Sequence, residues 1–376
     1  MAAGDRNIDN KDDLQESVQS ASLIIYRSTG LGLYGAMMRF IGMPLEKIAL
    51  YTNSAQVSGQ NQLRQAMNLA FQDGQGGRSL LTPYKVVGPA SGVAWFLQYS
   101  VMGMVFQVCD KALSRAMDLP AMPYGSQLME DPQNDTKQQM DSFSALKACS
   151  KIVLAPTFAG IIESTVANRA EAQRYFGITK FSQIESALKW NPVSRLCGPA
   201  FFANASRNVV MSSTSFVITP TLYRRFYPQE QKSQSSLFWF GLGVNIFIGN
   251  VVAITQQALW GRALDYASSG RTVARNISYR TVIQEGFMKE GRSAFFTVPK
   301  WASRVLMNAP VQGTLPWFYN EVLPLGEDGV ISSASFVFSK FVGSSNVASD
   351  GSKRDYSIHK DKETKIATSP FRKEQR

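Results

Sequence analysis

Apolar positions along this chain come as helix-length stretches broken by glycines, and the same order of stretches returns three times. Each round holds a Gly-punctuated apolar helix, a polar stretch of short-helix length, and a second apolar helix ending in aromatics. The first runs from "GLGLYGAMMRFIGMPLEKIALYTN" through "AFQDGQGGRSLLTPYKVVGPASGVAWFLQYS", and the second from "TFAGIIESTVANRAEAQRYFG" through "SRLCGPAFFANASRNVVMSSTSFVITP". The third runs from "GVNIFIGNVVAITQQALWGRALDY" through "GFMKEGRSAFFTVPKWASRVLMNAPVQGTLPWFYNEV". The turn after the short helix aligns "DGQGGRSLL" (73–81) with "EGRSAFF" (290–296), and "NPVSRL" (191–196) is a weak middle copy. Self-similarity at a fixed period marks a repeat architecture whose units pack on one another. The expectation is an all-α chain with repeats over 22–109, 146–226 and 236–323. A polar N-terminal extension (1–21), an inserted loop (110–145) and a polar basic tail (324–376) surround them.

Within the first repeat, "FIGMPLEKIALYTNSAQ" (40–56) puts Pro44 and Glu46 inside an apolar helical pattern. Proline there removes a backbone bond and kinks or ends the helix. The plain reading is a helix boundary at Pro44.

The 376 residues carry a net charge of +11, with a pI near 9.5. A basic chain suits an acidic partner: nucleic acid, anionic lipid or an anionic solute. Nucleic-acid binders cluster Lys and Arg on one stripe with aromatic platforms. Here the bases are spread out, many at the ends of apolar helices such as "YRRF" (223–226), which fits a membrane interface and argues against nucleic acid. No uninterrupted run of about 18 apolar residues exists, so simple hydropathy predicts no transmembrane helix. Helices lining a polar interior escape that rule, since one face is polar. The N-terminal stretch is acidic and polar, unlike a signal or transit peptide. Cys109, Cys149 and Cys197 are far apart and lack metal-ligand spacing, and His359 stands alone in the tail, so no metal site, cofactor site or catalytic triad is expected. Phosphate-loop and nucleophile-elbow motifs are absent, which makes an enzyme the remote reading.

The three repeats resemble the mitochondrial solute carrier family over residues 22 to 323. "GAMMRFIGMPLEKI" looks like that family's first-helix signature, and "EGRSAFF…SRVLMNAP…FY" like its third repeat. The resemblance implies six tilted transmembrane helices about a pseudo-threefold axis and three short matrix-side helices. It also implies the mitochondrial inner membrane, with both termini facing the intermembrane space.

The family pattern is Pro, an acid two residues on, and a base three beyond, so that acid and base share a helix face. The first repeat reads Pro44, Glu46, Ala49; the second Arg169, Glu171, Arg174; the third Gln257, Leu259, Arg262. Going round the ring pairs Glu46 with Arg174 and Glu171 with Arg262, closed by an apolar contact between Ala49 and Leu259. Losing both charges of a buried pair together is often neutral, whereas losing one costs about 3–5 kcal/mol. The plain alternative makes Glu171 and Arg174 ordinary solvated helix charges. Only Pro44 remains of three kink prolines, and Gly249 and Gly261 are candidates for the third kink.

On the opposite side the family places aromatic–acid–x–x–base patterns. "QYSVMG" (98–103), "ITPTLYRR" (218–225) and "FYNEVLP" (318–324) keep no such pair, and Glu321 is the only acid near the right place. That side is expected to lack a latch. Carriers of anions put bases at cavity midpoint, and Arg207, Lys85 and Arg304 are the candidates, with Met307 or Asn308 at the level itself in the third repeat. Arg207 reads equally as a snorkelling or lipid-phosphate contact. Gly74, Gly198 and Gly291 precede matrix-side helices where the family binds cardiolipin, although glycine at a turn is the ordinary expectation.

The N-terminal extension, the 110–145 loop and the tail from Leu325 fall on one side of the membrane if the family topology holds. The tail's composition favours disorder unless a partner orders it. Two functions follow from the resemblance. One is a degenerate, non-transporting accessory subunit of an inner-membrane respiratory complex, as in some protists, with cytochrome c oxidase the first host to test. The other is a divergent carrier of a small anionic metabolite anchored by Arg207.

Overall fold

The computed structural model describes residues 5–52, 61–72, 77–85, 89–119, 142–176, 178–187, 192–227, 236–269 and 277–345. Among these the chain is helical throughout, with no strand beyond one isolated bridge between Gln72 and Arg78. Three helices are long and apolar enough to cross a membrane, Ser91–Met117, Phe143–Phe176 and Ser236–Ser268, and they mark the protein as membrane-embedded. The expectation that hydropathy predicts no span is corrected here. A few polar residues interrupt each apolar run without bringing the window average down to that of a soluble helix.

Helix α1 (Asp5–Ile41) stops at Gly42, and α2 (Met43–Thr52) continues it. Gly42 N–H still donates to Met38 O at 2.9 Å and Glu46 N–H to Gly42 O at 3.0 Å. Pro44 has no N–H to donate, so the bonding is interrupted at Gly42 without ending the helical path. The remaining helices are α3 (Gln62–Phe71), α4 (Thr82–Lys85), α5 (Pro89–Met117), α6 (Ser142–Phe176), α7 (Ile178–Ala187) and α8 (Pro192–Cys197). After them come α9 (Phe201–Ser213), α10 (Thr219–Phe226), α11 (Ser236–Val244), α12 (Asn250–Ser268), α13 (Tyr279–Glu290), α14 (Val298–Asn308), α15 (Leu315–Trp317) and α16 (Glu327–Ser345). π-helical turns join α9 to α10 (Thr214–Ile218), α11 to α12 (Asn245–Gly249) and α14 to α15 (Ala309–Gly313), and another follows α15 (Phe318–Val322). Of the two glycines expected to bend the third repeat, Gly249 ends a π-turn and Gly261 lies within unbroken α12.

The rods close into a ring. α5 packs between α1 and α6, α6 on α9, α9 on α12, and α12 on α14. α14 returns to α2, and the turns at 309–313 and 318–322 touch α1. Contact can be very close: a Cβ on Gly160 of α6 would stand 2.5 Å from the backbone nitrogen of Val209 on α9. Outside the ring, large apolar side chains face outward, among them Leu33, Met37, Phe158, Trp239, Phe247 and Leu306. Inside it, Glu46, Gln98, Glu163, Asn168, Arg207 and Arg304 are buried. Large apolar side chains outside, with polar groups sequestered among the apolar clusters within, suit a lipid solvent.

Two flanking segments are helical in part, where a polar extension and a disorder-prone tail were expected. α1 begins at Asp5, so the polar N-terminal extension is helix continuous with the first rod. Past Leu325, α16 folds back on α1, with Gln19 Nε2 donating to Ser335 Oγ at 2.9 Å. The run "VISSASFVFSKFV" supplies enough apolar residues to hold a helix there. Residues 120–141 of the inserted loop and 346–376 of the tail lie outside the described residues.

Candidate functional site

The ring interior is layered, and the layers follow from the lengths of the rods. The nineteen residues from Arg27 to Glu46 span about 28 Å at 1.5 Å per residue. That is close to the roughly 30 Å hydrocarbon thickness of a bilayer. Charged pairs lie at both ends of this span.

At the α2 end, Glu46 Oε1 stands 3.4 Å from Arg174 Nε, and Glu46 Oε2 3.7 Å from Arg39 Nη1, with Glu46 and Arg39 buried and Arg174 partly so. Arg174 also lies over the Trp95 ring, 5.2 Å from its centroid. The structure therefore brings Glu46 and Arg174 together. Glu171 and Arg262 it does not, and their expected pairing is corrected. Glu171 accepts from Arg207 Nη2 through both oxygens, at 2.9 and 3.2 Å. Arg262 donates instead to Glu290 Oε2 at 2.5 Å and to Ala294 O at 3.0 Å. The register of α12 explains the exchange. Gln257 reaches the level of Glu171, and Arg262 lies five residues further on, about 7.5 Å along the axis.

Of the apolar closing pair, Ala49 is buried, and its neighbour Leu50 packs on the same cluster as Leu259, built around Ala172, Trp260 and Leu264. Arg169, at the position of a kink proline, points outward to Glu185 at 2.7 Å. One residue before it, Asn168 ties three elements together. Its Nδ2 donates to Cys197 O and Pro199 O, and its Oδ1 accepts from Asn204 Nδ2 and Trp260 Nε1.

Arg207 is 3% exposed and spends its donors inside the protein. Besides Glu171, it donates to Gln257 Oε1 at 2.6 Å, Asn204 Oδ1 at 2.6 Å and Asn208 Oδ1 at 3.0 Å. These bonds make Arg207 an internal clamp between α9, α6 and α12, and a substrate anion would have to displace its partners. The backbone of Lys85 ends α4, and its side chain lies outside the described residues. Arg304 differs from both. It is 5% exposed, faces Arg207 and Arg39 as well as Glu171 and Glu46, and among the described residues has no carboxylate within ion-pair reach. Its Nε and Nη2 reach the Asn308 side chain, whose amide oxygen, turned toward them, accepts at 2.8 and 3.0 Å.

Gly74 lies outside the described residues. Gly198 is left-handed (φ +84°), and a Cβ there would crowd Arg169 Cα at 3.0 Å, so backbone geometry alone demands glycine. Gly291 (φ +59°) ends α13 with open space around it.

The opposite end also holds charged pairs, which corrects the expectation of a missing latch. Arg27 meets Glu327 of α16 in a two-pronged contact, Nε to Oε1 at 2.6 Å and Nη2 to Oε2 at 2.8 Å. Lys151, fully buried, stands 2.9 Å from Asp110. Glu321 forms neither pair. The acids come from the C-terminal turns of α5 and the start of α16, so a search along the even-helix aromatic motif passes over them. Just inside this layer an apolar plug fills the bore, with Tyr34 stacked on Phe318 at 4.1 Å and Phe106 on Phe216 at 4.4 Å. Among the described residues no cluster of His, Cys, Asp or Glu is arranged to hold a metal.

Spacing within the sequence does offer a sign of the missed clamp: Asn204, Arg207 and Asn208 lie three and four apart on an otherwise apolar helix, one polar stripe turned inward. No protein family, curated protein or solved structure matches the chain.

Glu290 gives an exposed reference for these charges. Its hydrogen bond from Arg262 holds the carboxyl below the usual carboxylate range. A lowered pKa in the folded state gives stability that is present above the unfolded-state value and lost as pH falls through the folded one. Because Glu290 is largely solvated, Glu290→Gln should remove under about 1 kcal/mol at neutral pH. Its unfolding curve should merge with wild type at acid pH, as checked by thermal unfolding across pH.

Proposed function

We propose that this protein is a divergent carrier-type bundle of six tilted membrane helices in three repeats, set in the mitochondrial inner membrane with its termini facing the intermembrane space. It serves there as a non-transporting accessory subunit of a respiratory complex. Support for the bundle comes from element order and closure. Long rod, short helix and long rod recur with α3, α7 and α13 as the short members, and the rods return on themselves as a ring.

The observation that carries the non-transporting reading is that both ends are latched at once. Glu46–Arg174 and Glu171–Arg207 bind one end while Arg27–Glu327 and Asp110–Lys151 bind the other. An alternating carrier must break one layer to make the other, whereas a structural bundle keeps both. The host's contacts fall to the α1–α16 hairpin, the 110–145 loop and the tail, and cardiolipin fills in around the apolar outer face.

One observation favours the second reading, a carrier of a small anionic metabolite. Among the described residues Arg304 is buried without a carboxylate in ion-pair contact, and a lone arginine in a membrane interior marks a functional site by default. Full-length protein in proteoliposomes, offered a panel of labelled carboxylates and phosphate, distinguishes the two. The expected result is exchange no faster than in empty vesicles, together with co-migration with a respiratory complex on mild-detergent native gels. Exchange that disappears in Arg304→Ala would overturn the accessory role.

A further inference from the structure

The middle of the bundle holds one more ionisable group that neither latch uses. Glu163, on α6, is 1% exposed. Its Oε1 accepts from Gln98 Nε2 of α5 at 2.7 Å, and its Oε2 has no hydrogen-bond partner. Among the described residues no cation lies in ion-pair contact with it. The charged groups facing it are Arg207 from α9, Arg39 from α1, and Glu171 on its own helix. Both arginines are already committed, Arg207 to Glu171 and Gln257, and Arg39 to Tyr99 and Glu46. A carboxylate in this position would be a buried charge held by one neutral amide, and such a group neutralises by taking up a proton.

We propose that Glu163 is a proton-binding site in the membrane interior, its carboxyl neutral in the closed bundle and hydrogen-bonded to Gln98. The bore is plugged on one side by the Tyr34–Phe318 and Phe106–Phe216 stacks and latched on the other by Glu46 and Arg174. A proton is the one ligand that fits without opening either end. α5 and α6 form one of the ring's broad contacts, and the Gln98–Glu163 bond lies along it. Losing the proton therefore places an unpaired carboxylate in that seam. The site acts as an internal pH sensor that loosens α5 from α6 as the surroundings become alkaline. It stands whether or not the bundle transports.

The test uses full-length protein in detergent and in lipid nanodiscs, compared with Glu163→Gln, the neutral isostere of the protonated acid. Folding that takes up a proton makes stability fall as pH rises. Wild type should therefore lose thermal stability between neutral and alkaline pH more steeply than Glu163→Gln, and the two should unfold together at acid pH. Infrared spectra should contain a protonated-carboxyl carbonyl band at neutral pH that is missing from Glu163→Gln. The opposite pattern overturns the proposal: Glu163→Gln less stable than wild type at every pH, with no difference in the carbonyl region, would mean an ionised carboxylate balancing Arg39 and Arg207. Glu163→Asp keeps the acid and should keep the steep pH dependence, which separates proton binding from simple packing loss.

Discussion

Arg207→Leu should be the most damaging single substitution in the interior. The leucine leaves Glu171 buried without its two-oxygen partner and strips Gln257, Asn204 and Asn208 of the donor each accepts from. Breaking a buried pair from one side costs about 3–5 kcal/mol, and folded domains hold only about 5–15 kcal/mol in all. Arg174 and Arg39 also face Glu171, but both already serve Glu46. Thermal unfolding in detergent should drop sharply or folded protein should fail to accumulate. Arg207→Lys keeps the charge without the planar fork and should fall between. The double variant Arg207→Leu, Glu171→Leu should recover most of the loss, because it removes both charges together. An Arg207→Leu protein that unfolds at the wild-type temperature would rule out the clamp.

What the sequence could convey depended on how far a contact lay from its own helix. Glycine-broken apolar stretches were enough to foresee an all-helical chain, because helical periodicity is local. An interruption near Pro44 was readable, since a missing N–H acts locally, and the helix breaks at Gly42. The pairing of Glu46 with Arg174 followed from the charge pattern that the carrier resemblance implies, and the two stand 3.4 Å apart. The partner of Glu171 needed the axial register between α6, α9 and α12, which no periodicity contains. A shift of five residues put Gln257 where Arg262 was expected and brought Arg207 across the bore. Glu327 was hidden for another reason: it belongs to a helix beyond the repeats, where no repeat unit exists to align it with.

Asp110→Ala should produce the second large effect, and its combination with a change at the far end tests whether the bundle moves. Lys151 is fully buried, and Asp110, about one-fifth exposed, stands 2.9 Å from its ammonium. Alanine takes the carboxylate away from beside that buried ammonium, at a cost of up to about 3–5 kcal/mol, and exchanging the two residues, Asp110→Lys with Lys151→Asp, should restore most of it. Arg174→Ala does comparable damage at the other end, leaving Glu46 with only the longer contact to Arg39. From Lys151 to Arg174 along α6 is about 35 Å at 1.5 Å per residue. Substitutions so far apart in a static structure add to within about 0.3–0.5 kcal/mol. An alternating bundle behaves otherwise: weakening one latch shifts it toward the state held by the other, so the second substitution then strikes the only latch still closed and the losses do not add. Unfolding free energies of wild type, Asp110→Ala, Arg174→Ala and the double variant form the required cycle. Additivity is the expected result for a bundle latched at both ends at once, and a coupling of more than about 1 kcal/mol, well beyond that additive scatter, would mean that the two ends open in turn.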